Sequence, residues 1–275
     1  MSDFMRRFAQ NKLAVFGLVI VIVLVLAAVF ADFIAPYGFR EQSRDYRQGP
    51  SRNHLLGTDN VGRDVLSRII YGARISLKVG ILATLISLTI GTIFGAVAGF
   101  FGGIIDTLMM RFVDIFLSIP YVILAVSIAV VFGRSVNSLI VVLGVTGWLS
   151  ISRVVRATFL SLRKLEYTEA ARALGFSRRR IIFGHLLPNA SVPIIVYGTI
   201  AVGSAILSEA ALSFIGVGPT SPTPAWGLMV ADARGSLTSA AHMLLFPGLA
   251  IFVTVLGFVL VGDGLRDTLD PKMRR

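Results

Sequence analysis

The sequence contains no cysteine, which excludes disulfides, thiol catalysis and cysteine-ligated metals. Charge is also scarce. Only 15% of the 275 residues are charged and 55% are hydrophobic, a balance too apolar for an ordinary soluble domain. The mean hydropathy of +0.80 says the same. Its three histidines, His54, His185 and His242, fall in separate segments without metal-ligand spacing, so no metal site is expected. A Gly-x4-Gly-Lys-Ser/Thr phosphate loop is absent, as are a His-Glu-x-x-His helix and a Gly-x-Ser-x-Gly elbow. Nothing argues for an enzyme. Any ATP and Mg would have to sit on another polypeptide, and no cofactor is expected on this one.

What is present is a series of long apolar runs. Six spans can be drawn, at about 13–34, 76–101, 107–132, 136–157, 193–216 and 241–263. The first, Leu13 to Ile34, would be about 33 Å long as a helix, enough for the hydrocarbon core and too long for a signal-peptide core. A retained anchor is the better reading. A polar segment from Ala35 to about Ile75 separates it from the rest, dividing the chain into an anchor with an external loop (1–75) and a core (76–275). The fold class expected is an all-α polytopic membrane protein.

Lys and Arg outnumber Asp and Glu by 26 to 15. In a soluble protein that excess would suggest nucleic acid. Here the cations sit beside apolar spans, where they meet anionic lipid head groups and set topology, so membrane lipid is the expected partner and nucleic acid is not. With both termini inside, the inside segments hold 16 of the 26 cations. The eight between Arg40 and Lys78 run against the rule, but the basic 153–180 segment and the basic C-terminus outweigh them. Both termini are therefore expected in the cytoplasm.

Small residues recur four apart at Gly91, Gly95 and Gly99, a stripe that lets helices approach closely in lipid or that gates a moving contact. Pro120, Pro193 and Pro247 are expected to kink or start spans. Asp106, Arg111 and Asp114 are expected to neutralise one another near the inner end of the third span. Glu209 lies deeper, where it either lines a translocation path or hydrogen-bonds a neighbouring helix; Asp232 is a weaker path candidate.

The polar, basic stretch at about 158–192 has no reason to exist for spanning lipid and reads as a cytoplasmic docking surface. Thr168 is a plausible N-cap with Glu169 in the first turn, and Gly175 can adopt the left-handed conformation that ends a helix. Ser177 can cap a second helix running through Ile181–Leu187 and stopping before Pro188. An amphipathic hairpin with Arg178–Arg180 on lipid phosphates is the plainer alternative.

Glu169-Ala170-Ala171, Gly175 and Leu187-Pro188 resemble the "EAA loop" of bacterial ABC-importer permeases. His185 stands where the broad pattern has Ile, a departure found in the peptide and nickel subgroup. Gly57-Thr58-Asp59, Gly62 to Arg68, Tyr71-Gly72-Ala73-Arg74 and Pro222 to Gly227 resemble the C-type subunit of dipeptide and oligopeptide permeases. So do Gly262 to Asp267 and Asp270-Pro271-Lys272. The 57–64 and 219–224 segments read as structural turns and a stiff outer loop rather than as substrate contacts.

The resemblance implies a type I ABC-importer permease fold in a bacterial or archaeal cytoplasmic membrane. It also implies a homologous second permease, two ATPase subunits and an external substrate-binding protein. Glu169, Ala170, Ala171, Gly175, Leu187 and Pro188 would couple ATPase closure to alternating access. Substrates in this group include dipeptides, oligopeptides, glutathione-like peptides, nickel chelates and opines. The rival reading, an ion-gradient-driven secondary transporter, predicts a midplane cluster of ion ligands, for which Glu209 alone is thin support.

Overall fold

Asn11 opens the first long helix by accepting the Ala14 N–H on its side-chain oxygen at 3.1 Å. The computed structural model describes residues 2–269, so the Asp270-Pro271-Lys272 block and the basic residues beyond it lie outside the described residues. A short amphipathic α1 (Ser2–Gln10) leads into α2 (Lys12–Val29), and α3 (Ala31–Ile34) follows. Next come α4 (Val65–Phe101), α5 (Gly103–Ser118), α6 (Tyr121–Phe132) and α7 (Val136–Leu162). A hairpin of α8 (Glu166–Ala173) and α9 (Arg178–Ile181) passes through a π turn at Ile182–Leu186 into α10 (Leu187–Phe214). Finally α11 (Trp226–Asp232) precedes α12 (His242–Leu269).

Five of these stretches are long and apolar enough to cross a membrane, and α5 with α6 makes a sixth only as a pair bent by 87°. The expected third span, 107–132, is therefore two helices. Pro120 is the cause: its ring disfavours helical backbone at the preceding residue, and Ile119 is extended at ψ 128°. By contrast Pro193 and Pro247 lie within α10 and α12. The second span also starts earlier than its apolar run suggests. Asp64 caps α4 by accepting the Ser67 N–H at 2.8 Å, so 37 residues, about 55 Å, are helical and the first turns stand beyond a hydrocarbon core of about 30 Å.

At the centre stands α7, with 61% of its apolar window buried against 17% for the peripheral α2. It packs along α4 on the Gly91–Gly95–Gly99 stripe. A Cβ on Gly91 would lie 2.7 Å from the Ile151 Cβ, and one on Gly99 2.7 Å from the Phe159 Cβ, so only glycine permits this approach. Two ion pairs tie α5 to the same helix. Arg156 grips Asp106 with two nitrogens, Nη2 at 2.6 Å from Oδ2, and Arg153 Nη2 is 2.6 Å from Asp114 Oδ1. The expected trio of Asp106, Arg111 and Asp114 is thus corrected. Both carboxylates take their partners from α7, and Arg111 forms no ion pair among the described residues.

At one end of the bundle the 57–74 and 219–227 blocks close on each other. Trp226 is fully buried and donates Nε1–H to the Ile69 carbonyl at 2.9 Å, while its ring leaves no room for a side chain on Gly72. Asp59 folds its own loop, accepting the Val61 and Arg63 N–H groups at 2.9 and 3.0 Å, and pairs with Arg63 Nε at 2.6 Å. Arg63 continues to Ser221 Oγ at 3.0 Å, and Arg68 reaches the Pro222 carbonyl at 3.4 Å. The expected turns are there, but as one buried polar cluster joining segments some 150 residues apart.

Candidate coupling hairpin and membrane cavity

The hairpin sits at the opposite end from that cluster. Its first helix starts two residues before the expected cap: Leu165 occupies the N-cap, and Glu166 and Glu169 both fall in the first turn of α8. Thr168 is no cap. It is buried and donates Oγ1–H to the Leu162 carbonyl at 3.0 Å, which ties α8 back to the end of α7. Ala171 shares this inner face, packed with Phe100, Phe159, Ile181 and Leu186. Glu169 and Ala170 face away and are exposed.

Gly175 ends the helix as its residue type predicts, with φ +73°. Around it the backbone closes a Schellman turn: Phe176 N–H donates to the Ala171 carbonyl at 3.1 Å and Gly175 N–H to the Arg172 carbonyl at 3.0 Å. Ser177 then caps α9, accepting the Arg180 N–H at 3.4 Å, as expected. Arg180 lies 4.0 Å from the centre of the Phe176 ring and His185 stacks on the same ring at 5.9 Å.

The second helix does not stop before Pro188. Leu187 N–H bonds the Ile182 carbonyl five residues back, a π turn placed where Pro188 has no N–H to offer, and the helix runs on to Phe214. Leu187 is half-buried and Pro188 exposed. Two further residues belong to the exposed surface: Leu174 is 73% and Phe183 67% exposed. Their signal in the sequence is a large apolar side chain within an otherwise small or polar loop.

Between α4, α7 and α10 a cavity of about 230 Å³ lies at membrane depth, with Tyr121 at the head of α6 over it. Its polar wall is made of hydroxyls, among them Thr84, Ser87, Thr146, Ser150, Ser204 and Ser208. The Tyr121 hydroxyl faces those of Thr146 and Ser208. Thr84 Oγ1 is buried with no hydrogen-bond partner among the described residues, and no carboxylate or cation lines the space.

Glu209 is not in that wall. It is 1% exposed and accepts Ser213 Oγ–H at 2.8 Å and Ser76 Oγ–H at 3.3 Å, joining α10 to α4. Asp232 lies outside the spans at the end of α11, where its carbonyl accepts Asn60 Nδ2–H at 2.8 Å and its carboxylate is 4.0 Å from Arg63. Burial raises its carboxyl above the usual range, and Arg68 and Arg63 pull in the other direction. The two path candidates are therefore apart from each other and from the cavity.

Residues 91–275 match the family described as binding-protein-dependent transport system inner membrane component. Residues 1–54 match the N-terminal TM domain of oligopeptide transport permease C. A dipeptide transport system permease of Alkalihalophilus pseudofirmus is 44% identical over 98% of this chain and 89% of its own length. An oligopeptide transport system permease of Bacillus subtilis is 40% identical over 100% and 90%. In structure, the chain resembles the MetNI methionine ABC transporter in an inward-facing conformation, with a TM-score of 0.64 and 22% identity over 74% of this chain and 98% of that one. The fold is that of a type I ABC-importer permease. With matches along nearly its whole length, the chain belongs to the family of binding-protein-dependent transport system inner-membrane components, the permease subunits of ABC importers.

Proposed function

We propose that this chain carries di- or oligopeptides, or a related small solute, and that the exposed face of α8 transmits ATPase closure to the bundle. The observation that carries this reading is the two-sided setting of α8. Thr168 and Ala171 root it in the core, while Glu169 and Ala170 are left uncovered on the far side. A helix held in this way moves with the bundle and still offers a small-sided surface for another protein's cleft. Gly175 sets the exit angle, and Leu187-Pro188 join the hairpin to α10, which walls the cavity. Family membership leaves the ion-gradient alternative without support.

The assembly is a second homologous permease, two ATPase subunits that bind ATP and Mg, and an extracytoplasmic substrate-binding protein at the end bearing the 57–74 cluster. Both termini and the hairpin face the cytoplasm of a bacterial cell. Residues 1–75 serve as anchor and outer loop, and 76–275 as the core. The path follows the hydroxyl cavity, whose donors and acceptors suit a peptide backbone without selecting for charge. Glu209 then acts as a clasp between α4 and α10, and Asp232 as part of the outer cluster.

The test is ATP-dependent uptake by the assembled complex in proteoliposomes. Replacing Glu169 and Gly175 abolishes uptake while assembly is retained; unchanged uptake would sink the coupling assignment.

A further inference from the structure

A second cavity, of about 440 Å³, opens where the coupling hairpin meets the α4–α5 elbow. Three guanidinium groups converge on it, Arg163 from the end of α7, Arg172 from the last turn of α8 and Arg178 from α9, with Phe101 and Phe176 beside them. No acidic residue lines it, and none of the three forms an ion pair among the described residues. Two of them are held instead by neutral contacts. Arg163 Nη1 donates to the Phe100 carbonyl at 3.0 Å, and the Arg178 guanidinium lies 5.8 Å from the centre of the Phe101 ring. Gly102, at φ +66°, makes the elbow. A Cβ there would come within 2.6 Å of Arg163 Nη1, so the bare backbone leaves room for that guanidinium.

Converging guanidiniums with N–H groups to spare and no counter-charge suit a phosphate. The adjoining helix says which kind. Immediately after the elbow α5 presents Ile104, 79% exposed, followed by exposed Ile105 and Leu108. An apolar, outward-facing stripe beginning at the rim of a basic pocket matches an acyl chain continuing from a head group.

We propose that this pocket binds the phosphate head group of an anionic phospholipid of the cytoplasmic leaflet and thereby makes transport responsive to membrane lipid. Because Arg172 belongs to α8, occupancy fixes the coupling helix relative to α4 and α7; this regulatory consequence rests on the coupling role proposed above. The binding itself does not, and can be tested without turnover.

The complete importer and the permease pair without ATPases are reconstituted in equimolar phosphatidylglycerol and phosphatidylcholine, washed in detergent, and their retained lipid is quantified by mass spectrometry. Wild type retains phosphatidylglycerol in clear excess in both preparations, and millimolar inorganic phosphate leaves that excess in place. Each of Arg163→Gln, Arg172→Gln and Arg178→Gln weakens retention about fivefold, whereas Arg179→Gln, outside the pocket, does not. Equal retention of the two lipids by wild type overturns the proposal, and so does retention unaffected by all three substitutions. Displacement by inorganic phosphate would assign the pocket to a free anion instead. An excess seen only without ATPases would assign it to their carboxylates. Should one variant fail to assemble, the remaining pocket variants measured against Arg179→Gln still decide. In the uptake arm, phosphatidylglycerol stimulates wild type and not Arg172→Gln. Stimulation lost with lipid retention intact counts against the regulatory step alone, and normal uptake by the Glu169 variants counts against the coupling role alone.

Discussion

The Phe176 N–H donates to the Ala171 carbonyl at 3.1 Å, so the residue that roots α8 in the core is also the one that closes the turn beyond it. The neighbouring alanines Ala170 and Ala171 therefore have different duties, one exposed and one 4% exposed.

Substituting each by aspartate separates those duties. Ala171→Asp places a carboxylate among Phe159, Ile181 and Leu186 and costs several kcal/mol, which thermal unfolding of the purified permease would register. Ala170→Asp leaves the unfolding temperature within about 2 °C but reduces co-purification of the ATPases. Equal destabilisation by both would contradict the two-sided placement of α8.

Gly175→Ala meets no atom within 4 Å, so its penalty is backbone strain at φ +73° alone, about 1 kcal/mol. We expect normal expression and assembly with several-fold lower ATP-dependent uptake. A variant as active as wild type would mean that the exit angle of the hairpin does not matter to coupling.

Breaking the Asp106–Arg156 pair from the Asp side leaves the cation without its partner. Arg156 is partly exposed, so the cost of Asp106→Ala is nearer 1–2 than 5 kcal/mol. The double variant Asp106→Ala/Arg156→Ala should recover part of it, and thermal unfolding of the four proteins in a double-mutant cycle measures the coupling.

Filling the hydroxyl cavity tests the path. Ser204→Leu and Ser208→Leu should stop uptake while ATPase association persists, because both side chains point into the cavity wall on α10 and away from the hairpin. Persistent wild-type uptake would move the path elsewhere.

Asp232 gives the outer cluster a pH dependence of definite sign. Burial raises its folded-state pKa, so the protonated form is favoured by folding. Its contribution grows as pH falls through the folded value toward the ordinary one, and is lost as pH rises through the folded value. Asp232→Asn should flatten that part of the stability profile of the purified permease, which begins at the ordinary carboxylate range and extends above it. An unchanged profile would place the titration on another group.

Local physics made much of this legible. Apolar runs of some 20 residues suit spans, so the all-α class and five of the six expected crossings follow from composition and length. Gly175 and Ser177 behave as their chemistry requires because a left-handed turn and a helix cap are decided within a few residues. Boundaries were less legible: the hidden cap at Asp64 carries α4 past its apolar run, and the π turn before Pro188 lets a helix continue where a stop was expected.

By itself, then, the sequence determined the all-α membrane class, the polar, basic hairpin between spans and the family. Tertiary structure alone decided which faces meet. A span that is apolar all round carries no amphipathic signal to say where its neighbours lie. Hence the partners of Asp106 and Asp114 on α7, the enclosure of Glu209 between two serines and the joining of the 57–74 and 219–227 blocks became visible only in three dimensions. The hydroxyl cavity and the arginine pocket did too, because each takes its walls from helices far apart in the chain.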